Sequence, residues 1–224
     1  RIQQYIYDSV DHIIANWPHI IEQIQTETEV SLIMDQPDDT VCDYLQQISE
    51  EGISTEVLME MGVTDRYILY TGNYAAYQGI DLLYDAFDRL TPTDHVQLVM
   101  TGDPPEEYVC DNPDIVYTGF VEERHLAELL AGADVLASPR QTDGFPPMKM
   151  LYYIQTKNNL VVTRMSCHTS VLENVAGVSF ADPDSESFAE ALMDALADET
   201  VYDRQLSPGD VQKQYKAVYE MKGK

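Results

Sequence analysis

Tyr67-Ile-Leu-Tyr-Thr-Gly-Asn-Tyr-Ala-Ala-Tyr-Gln-Gly-Ile-Asp-Leu-Leu83 decides the fold. An unbroken apolar and aromatic run leads into Thr71, a glycine-bearing loop follows, and Ile80–Leu90 then repeats apolar residues at helical spacing. A strand buried on both faces, a tight turn and an amphipathic helix make one βα unit. The unit recurs along the chain. Runs at Tyr67–Thr71, Val96–Thr101, Asp114–Thr118, Ala133–Ser138, Leu160–Thr163 and Gly177–Ala181 alternate with helical stretches at Ile80–Leu90, Glu122–Ala131, Met148–Thr156, His168–Val175 and Glu186–Ala197. This alternation predicts an α/β protein with a Rossmann-like, doubly wound parallel sheet joined by right-handed crossovers. In such a sheet the ligand lies beyond the carboxyl ends of the strands, so the residues after each run matter most.

Outward from this core the pattern weakens. On the N-terminal side, Arg1–Val10 reads as a helix and Asp11–Asn16 as a strand with two central isoleucines. A second helix starts at Pro18 and carries Ile20, Ile21 and Ile24, and Glu29–Met34 is strand-like. From Asp35 the chain turns acidic and aperiodic through Asp39, and a short amphipathic segment, Thr55–Met61, leads into the next apolar run. The expected division is a small N-terminal piece over 1–35, an interdomain linker over 36–65, the main domain over 66–205 and a C-terminal helix over 206–224.

Bulk composition bounds the function. With 224 residues, 44% of them apolar, the chain can bury one full α/β core plus an appendage. No apolar run reaches the roughly 18–20 residues of a transmembrane segment, and the N-terminus lacks a signal-peptide pattern, so a cytoplasmic protein is expected, free or at the inner face of the membrane. Cys42, Cys110 and Cys167 are widely spaced and form no CxxC pair, which predicts reduced thiols and no zinc site. Asp and Glu number 39 against 13 Lys and Arg, a formal net charge of -26. Nucleic acid is excluded as a partner, because a phosphate backbone would meet repulsion over most of the surface. Acids spread along the chain, with only six lysines, are the pattern of halophilic proteins. An ordinary acidic protein is the alternative.

Chemistry-bearing residues fall after the runs. Gly72 and Gly79 let the backbone approach a ligand near a helix start, with Asn73 and Gln78 between them, although a tight turn needs such glycines even without a ligand. Gly102, in Thr101-Gly-Asp-Pro-Pro105, is equally ambiguous. Ala133-Asp-Val-Leu-Ala-Ser-Pro-Arg140 ends in a cation, and Gln141-Thr-Asp-Gly-Phe-Pro-Pro-Met-Lys149 places Asp143 and Gly144 where a turn and a helix cap are expected. In a chain this poor in cations, Arg140, Lys149 and Arg164 all fall along one sheet edge. Phosphate contact is the functional reading of Arg140 and Lys149; structural ion pairs with the abundant acids are the alternative.

These pieces in order, Tyr-Thr-Gly-Asn, Tyr-Gln-Gly-Ile-Asp-Leu-Leu, Thr-Gly-Phe, Ala-Asp-Val-Leu-Ala-Ser-Pro-Arg, Gly-Phe-Pro and Leu-Val-Val-Thr, resemble the C-terminal, donor-binding domain of group 1, family-4 type retaining glycosyltransferases of the GT-B fold. The resemblance covers about Arg66–Asp198, and Asp11–Met34 matches the end of that family's N-terminal acceptor domain. It implies a nucleotide-sugar substrate held in this domain, no cofactor or metal, and a glycan or lipid-linked acceptor held by an N-terminal domain of the full-length protein. An Arg and a Lys usually grip the diphosphate in the first loop, where this chain has Asn73 and Gln78. Two glutamates usually flank the Gly-Phe-Pro segment and hold the sugar and the ribose. Asp143 matches the first, in the catalytic position, and Tyr152 falls on the second with one extra residue between. Phe145, inside the segment, and Gly144 are implied donor contacts. With His168-Thr169 downstream, the chain is similar to a branch lacking the second glutamate, in which Arg140 and Lys149 take over the phosphates.

Three functions compete. The leading one is a glycosyltransferase, expected to bind but not to transfer as an isolated 224-residue chain, because an active site between two domains needs both walls. The second is a catalytically silent GT-B module that binds a nucleotide sugar or a partner protein. An unrelated Rossmann-type binding domain is disfavoured, since no Gly-x-Gly-x-x-Gly with a downstream ribose acid occurs.

Overall fold

A computed structural model describes residues 2–90, 95–202 and 204, the side chains of Pro18 and His19 excepted. The C-terminal helix expected over 206–224 lies outside the described residues. The described chain falls into two compact units that part between Gln36 and Pro37. The first contains α1 (Ile2–Ser9), β1 (Ile13–Ala15), α2 (Pro18–Gln23) and β2 (Val30–Leu32). Its two strands pair in parallel with Ile13 opposite Val30, and Ala15, Trp17 and Ile33 are buried.

The second unit opens with α3 (Asp39–Glu51) and α4 (Thr55–Glu60). The sheet and its helices follow as β3 (Arg66–Tyr70), α5 (Ile80–Phe87), β4 (Val96–Thr101), β5 (Ile115–Gly119), α6 (Glu123–Gly132), β6 (Val135–Ser138), α7 (Lys149–Tyr153), β7 (Asn159–Thr163), α8 (Ser166–Leu172), β8 (Val178–Ala181) and α9 (Ser185–Ala197). All six strands are parallel, in the order β5-β4-β3-β6-β7-β8. The chain therefore builds outward from β3 to β5, then returns to the other side of β3 as β6. Between β3 and β6 lies the switch point where crevices open in such sheets.

Side-chain alternation fixes which helices cover which face. In β3, Ile68 and Tyr70 join the core under α5 and α9, whereas Tyr67 and Leu69 join the core under α3, α6, α7 and α8. Ile68 and Leu69 are fully buried, each contributing roughly 1.5–3 kcal/mol relative to an exposed position. Arg66 Nε lies 2.7 Å from Asp134, whose carboxylate also accepts the Tyr67 N–H, so the adjoining strands β3 and β6 are tied at their amino ends.

One expectation changes. Residues 36–65 were expected as a linker, but Asp39–Glu51 is a 13-residue helix. Val41, Leu45 and Ile48 are its buried residues, and they join the core that α6 also covers. Asp38 caps the helix by accepting the Thr40 N–H at 2.8 Å. Three apolar residues at positions i, i+4 and i+7 make a stripe too thin to stand out among acids in the sequence, yet sufficient once a partner helix lies opposite. No described helix is long and apolar enough to cross a membrane.

Candidate functional site

A cleft of about 660 Å³ opens at the carboxyl edge of the sheet. Its walls come from the loops after β3 (Thr71, Gly72, Asn73, Tyr77, Gln78), β4 (Gly102, Asp103), β5 (Phe120, Val121) and β6 (Arg140, Phe145), together with Met148, Lys149 and Tyr152 around α7. Eight of the eleven residues singled out in the sequence meet here: Gly72, Asn73, Gln78, Gly102, Arg140, Phe145, Lys149 and Tyr152. Asp143, Gly79 and Gly144 do not line it.

The loop after β3 is held from several sides. The Thr71 N–H donates to the Tyr153 hydroxyl at 2.9 Å, the Tyr70 hydroxyl donates to the Asn73 carbonyl at 2.6 Å, and Asn73 Oδ1 accepts the Ala75 N–H at 3.1 Å. Gly79, at φ +72°, packs directly on the Pro139 carbonyl, where a Cβ would collide with backbone. Gly102, at φ +96°, also leaves no room for a Cβ, which would collide with the Gly72 carbonyl. Both glycines bring neighbouring loops together, so Gly79 shapes the cleft without touching its interior.

Arg140 and Lys149 are the cations lining the cleft, and Asp103 is its lining acid. Arg140 donates from Nε to the Thr142 carbonyl at 2.8 Å and from Nη1 to the Phe145 carbonyl at 2.9 Å, and its guanidinium stands 4.9 Å from the Tyr77 ring centroid. It thus folds its own loop while keeping its charge at the cleft. Lys149 is buried, with Nζ 3.6 Å above the Tyr70 ring centroid and no hydrogen-bond partner among the described residues. Burial, reinforced by the nearby Arg140 charge, holds its pKa well below the usual lysine range. Neither cation forms an ion pair among the described residues, although the chain is rich in acids. Two cations lining one cleft, neither ion-paired among the described residues, favour an anion there.

Asp143 has another occupation. Its carboxylate accepts the Ser166 N–H at 2.7 Å and the Ser166 hydroxyl at 2.8 Å, joining the loop after β6 to the start of α8. Tyr152 turns its hydroxyl to the Asp38 N–H at 3.4 Å. Behind the loop, His168 is fully buried between Ser138 Oγ at 3.1 Å and the Thr163 carbonyl at 2.8 Å. A carbonyl can only accept, so Nδ1 carries the proton and Nε2 accepts from Ser138. Burial lowers the His168 pKa to about 4, against the opposing Thr163 hydrogen bond.

Tyr70, Tyr77 and Phe120 stand inside the motifs that carry the resemblance but were given no site role, and Tyr153 and Met148 were given none either. Phe120 carried a readable signal, a large apolar residue directly after a strand end, and it is 87% exposed at the cleft mouth. Tyr70 and Tyr153 look like ordinary core aromatics in the sequence. Only the fold brings their hydroxyls to the first loop.

A doubly wound parallel sheet with a cleft at its switch point defines a Rossmann-like α/β domain. The family of group 1 glycosyl transferases matches residues 65–198, and the chain belongs to that family. No curated protein sequence matches the chain. Among solved structures, it is similar to sucrose-phosphate synthase from Thermosynechococcus elongatus, with TM-score 0.75 and 15% identity over 98% of this chain and 60% of that one. It is also similar to Anabaena HepE in complex with UDP-glucose, with TM-score 0.73 and 13% identity over 99% of this chain and 67% of that one. A UDP-forming α,α-trehalose-phosphate synthase from Burkholderia xenovorans gives TM-score 0.59 and 19% identity over 85% of this chain and 49% of that one. At these identities the likeness is one of fold, the Rossmann-like half of GT-B. The chain spans about 60% of the length of the sucrose-phosphate synthase.

Proposed function

We propose that this chain carries the donor-binding domain of a glycosyltransferase that moves a sugar from a nucleotide sugar to a glycan or lipid-linked acceptor, with retention of configuration. Convergence of Arg140 and Lys149, free of carboxylate partners among the described residues, carries this reading. The diphosphate of the donor meets the Lys149 ammonium and the Arg140 guanidinium, replacing the first-loop cations for which Asn73 and Gln78 stand. Charge-assisted hydrogen bonds contribute about 1.5–3 kcal/mol each, enough together to separate micromolar from millimolar binding. In transfer, the bond from the anomeric carbon to the diphosphate breaks, and the acceptor hydroxyl oxygen bonds to that carbon while passing its proton to the departing diphosphate oxygen, which leaves with the nucleoside diphosphate. Asp143 serves as a positioning residue that fixes the loop after β6, since one carboxylate oxygen, Oδ1, accepts both the N–H and the hydroxyl of Ser166.

The same observation favours a second reading, a silent donor-binding module, because Asp103 is the acid lining the cleft. Calorimetric titration with UDP-, GDP- and ADP-glucose tests binding, and Arg140→Ala, with circular dichroism as the folding control, should weaken it about tenfold. Release of nucleoside diphosphate by the full-length protein in the presence of acceptor supports the enzyme; binding without release supports the module. Binding of none of the three donors would sink both.

A further inference from the structure

Hydrogen-bond bookkeeping in the loop after β3 leaves one acceptor unmet. A backbone N–H, that of Ala75, points at the Asn73 side chain at 3.1 Å, so the Asn73 atom on that side is its oxygen, Oδ1. The Gln78 side chain meets the same Oδ1 at 3.4 Å, and only its amide nitrogen can donate there. This settles the orientation of the Gln78 amide, with Nε2 on Asn73 and Oε1 facing elsewhere. Gln78 is only 6% exposed, it lines the cleft, and its Oε1 has no donor among the described residues. Buried carbonyl oxygens in folded proteins are nearly always met, so one left unmet beside a ligand cleft marks a ligand contact.

Lys149 presents the complementary case in the same cleft, a buried donor without an acceptor. A phosphate oxygen satisfies Lys149, but it carries no hydrogen and repels the Gln78 carbonyl oxygen. The group that meets Gln78 must therefore bring a hydrogen. We propose that Gln78 Oε1 accepts a hydrogen bond from a hydroxyl of the bound nucleotide sugar and thereby reads that part of the ligand. The assignment rests on the nucleotide-sugar reading above. Two hydroxyl sources exist, the transferred sugar and the ribose.

The test titrates wild type, Gln78→Met and Gln78→Lys with whichever of UDP-, GDP- and ADP-glucose wild type binds, and with the matching free diphosphate. Both variants should bind the sugar nucleotide at least about fivefold more weakly. If the free diphosphate is weakened equally, the hydroxyl is the ribose's; if its affinity is unchanged, the hydroxyl belongs to the sugar. Wild-type affinity in either folded variant overturns the proposal, and tighter binding by Gln78→Lys assigns the position to phosphate. A ligand-side version needs no variant. Among donors with single hydroxyls replaced by hydrogen, one should lose the same factor on wild type and nothing further on Gln78→Met; full affinity for every deoxy donor overturns the assignment. A wild type that binds glucose donors normally while the Gln78 variants are unaffected removes this inference alone. A wild type that binds none removes the underlying reading.

Discussion

The two edges of the sheet treat buried polar groups in opposite ways. At the amino edge, Arg204 donates to the carbonyls of Ala176, Gly177, Thr156 and Asn158, which precede β7 and β8. Asn158 and Asn159 there each donate to two further carbonyls. At the carboxyl edge, Lys149 Nζ and Gln78 Oε1 are buried and unmet among the described residues, and so is the hydroxyl of Tyr74, on the same loop as Gln78. An unmet buried group costs about 1–3 kcal/mol, more when charged, so the amino edge favours stability, and under the proposed function a ligand relieves the cost held at the carboxyl edge. Even at the carboxyl edge the distinction is local. His168 lies behind the cleft with both ring nitrogens engaged.

The strongest challenge to this contrast is Arg204→Ala. Stranding carbonyls at the amino edge should cost about 3 kcal/mol of unfolding free energy in chemical denaturation while the folded fraction keeps its donor affinity. A loss of donor affinity without a loss of stability would falsify the division of labour.

Acidification probes the satisfied group at the other edge. The folded pKa of His168, about 4, lies below the ordinary 6.5, so the unfolded chain takes up the proton first. Its contribution is whole above pH 6.5 and is lost as the pH falls toward 4, by up to about 3 kcal/mol. His168→Gln should flatten the stability curve in that window; an unchanged acid limb assigns the loss to other groups.

Lys149→Met should separate the two roles of an unmet cation. Donor affinity should fall about tenfold or more, while stability rises by roughly 0.5–2 kcal/mol because a buried amine without a hydrogen-bond partner among the described residues is gone. Stability that falls with affinity would mean that Lys149 is a structural residue. In wild type, the anion should raise the depressed Lys149 pKa, so donor binding takes up as much as one proton. Calorimetry at one pH in buffers of different ionisation enthalpy reads the number directly; zero uptake in wild type would show that the lysine is already charged.

Smallest, and spread over both edges, is the response to salt. With a net charge of -26, unfolding midpoints should climb between low and molar KCl as self-repulsion is screened. A flat or falling trend removes the halophilic reading.

Regular repetition made the sheet legible. Each of the six runs read from the sequence carries a strand, because a strand buried on both faces must be apolar throughout and a crossover helix must be amphipathic. Helix α3 was not legible. Its stripe of Val41, Leu45 and Ile48 acquires meaning only against a partner helix, and its acids looked like a linker. Cations after β6 and at α7 were legible by their rarity in an acidic chain. Their lack of counter-ions was not, since 39 acids offered partners in sequence and geometry alone decides which of them reach.

The sequence by itself determined the class of fold, the edge on which the cleft opens and eight of the residues that line it, because periodicity and strand-end position are local properties. Tertiary structure alone decided that Asp143 Oδ1 engages Ser166, that Tyr70 and Tyr153 brace the first loop, and that Gln78 Oε1 and Lys149 Nζ are left unmet among the described residues. Satisfaction of a buried polar group depends on atoms brought from distant parts of the chain, and no local pattern carries that information.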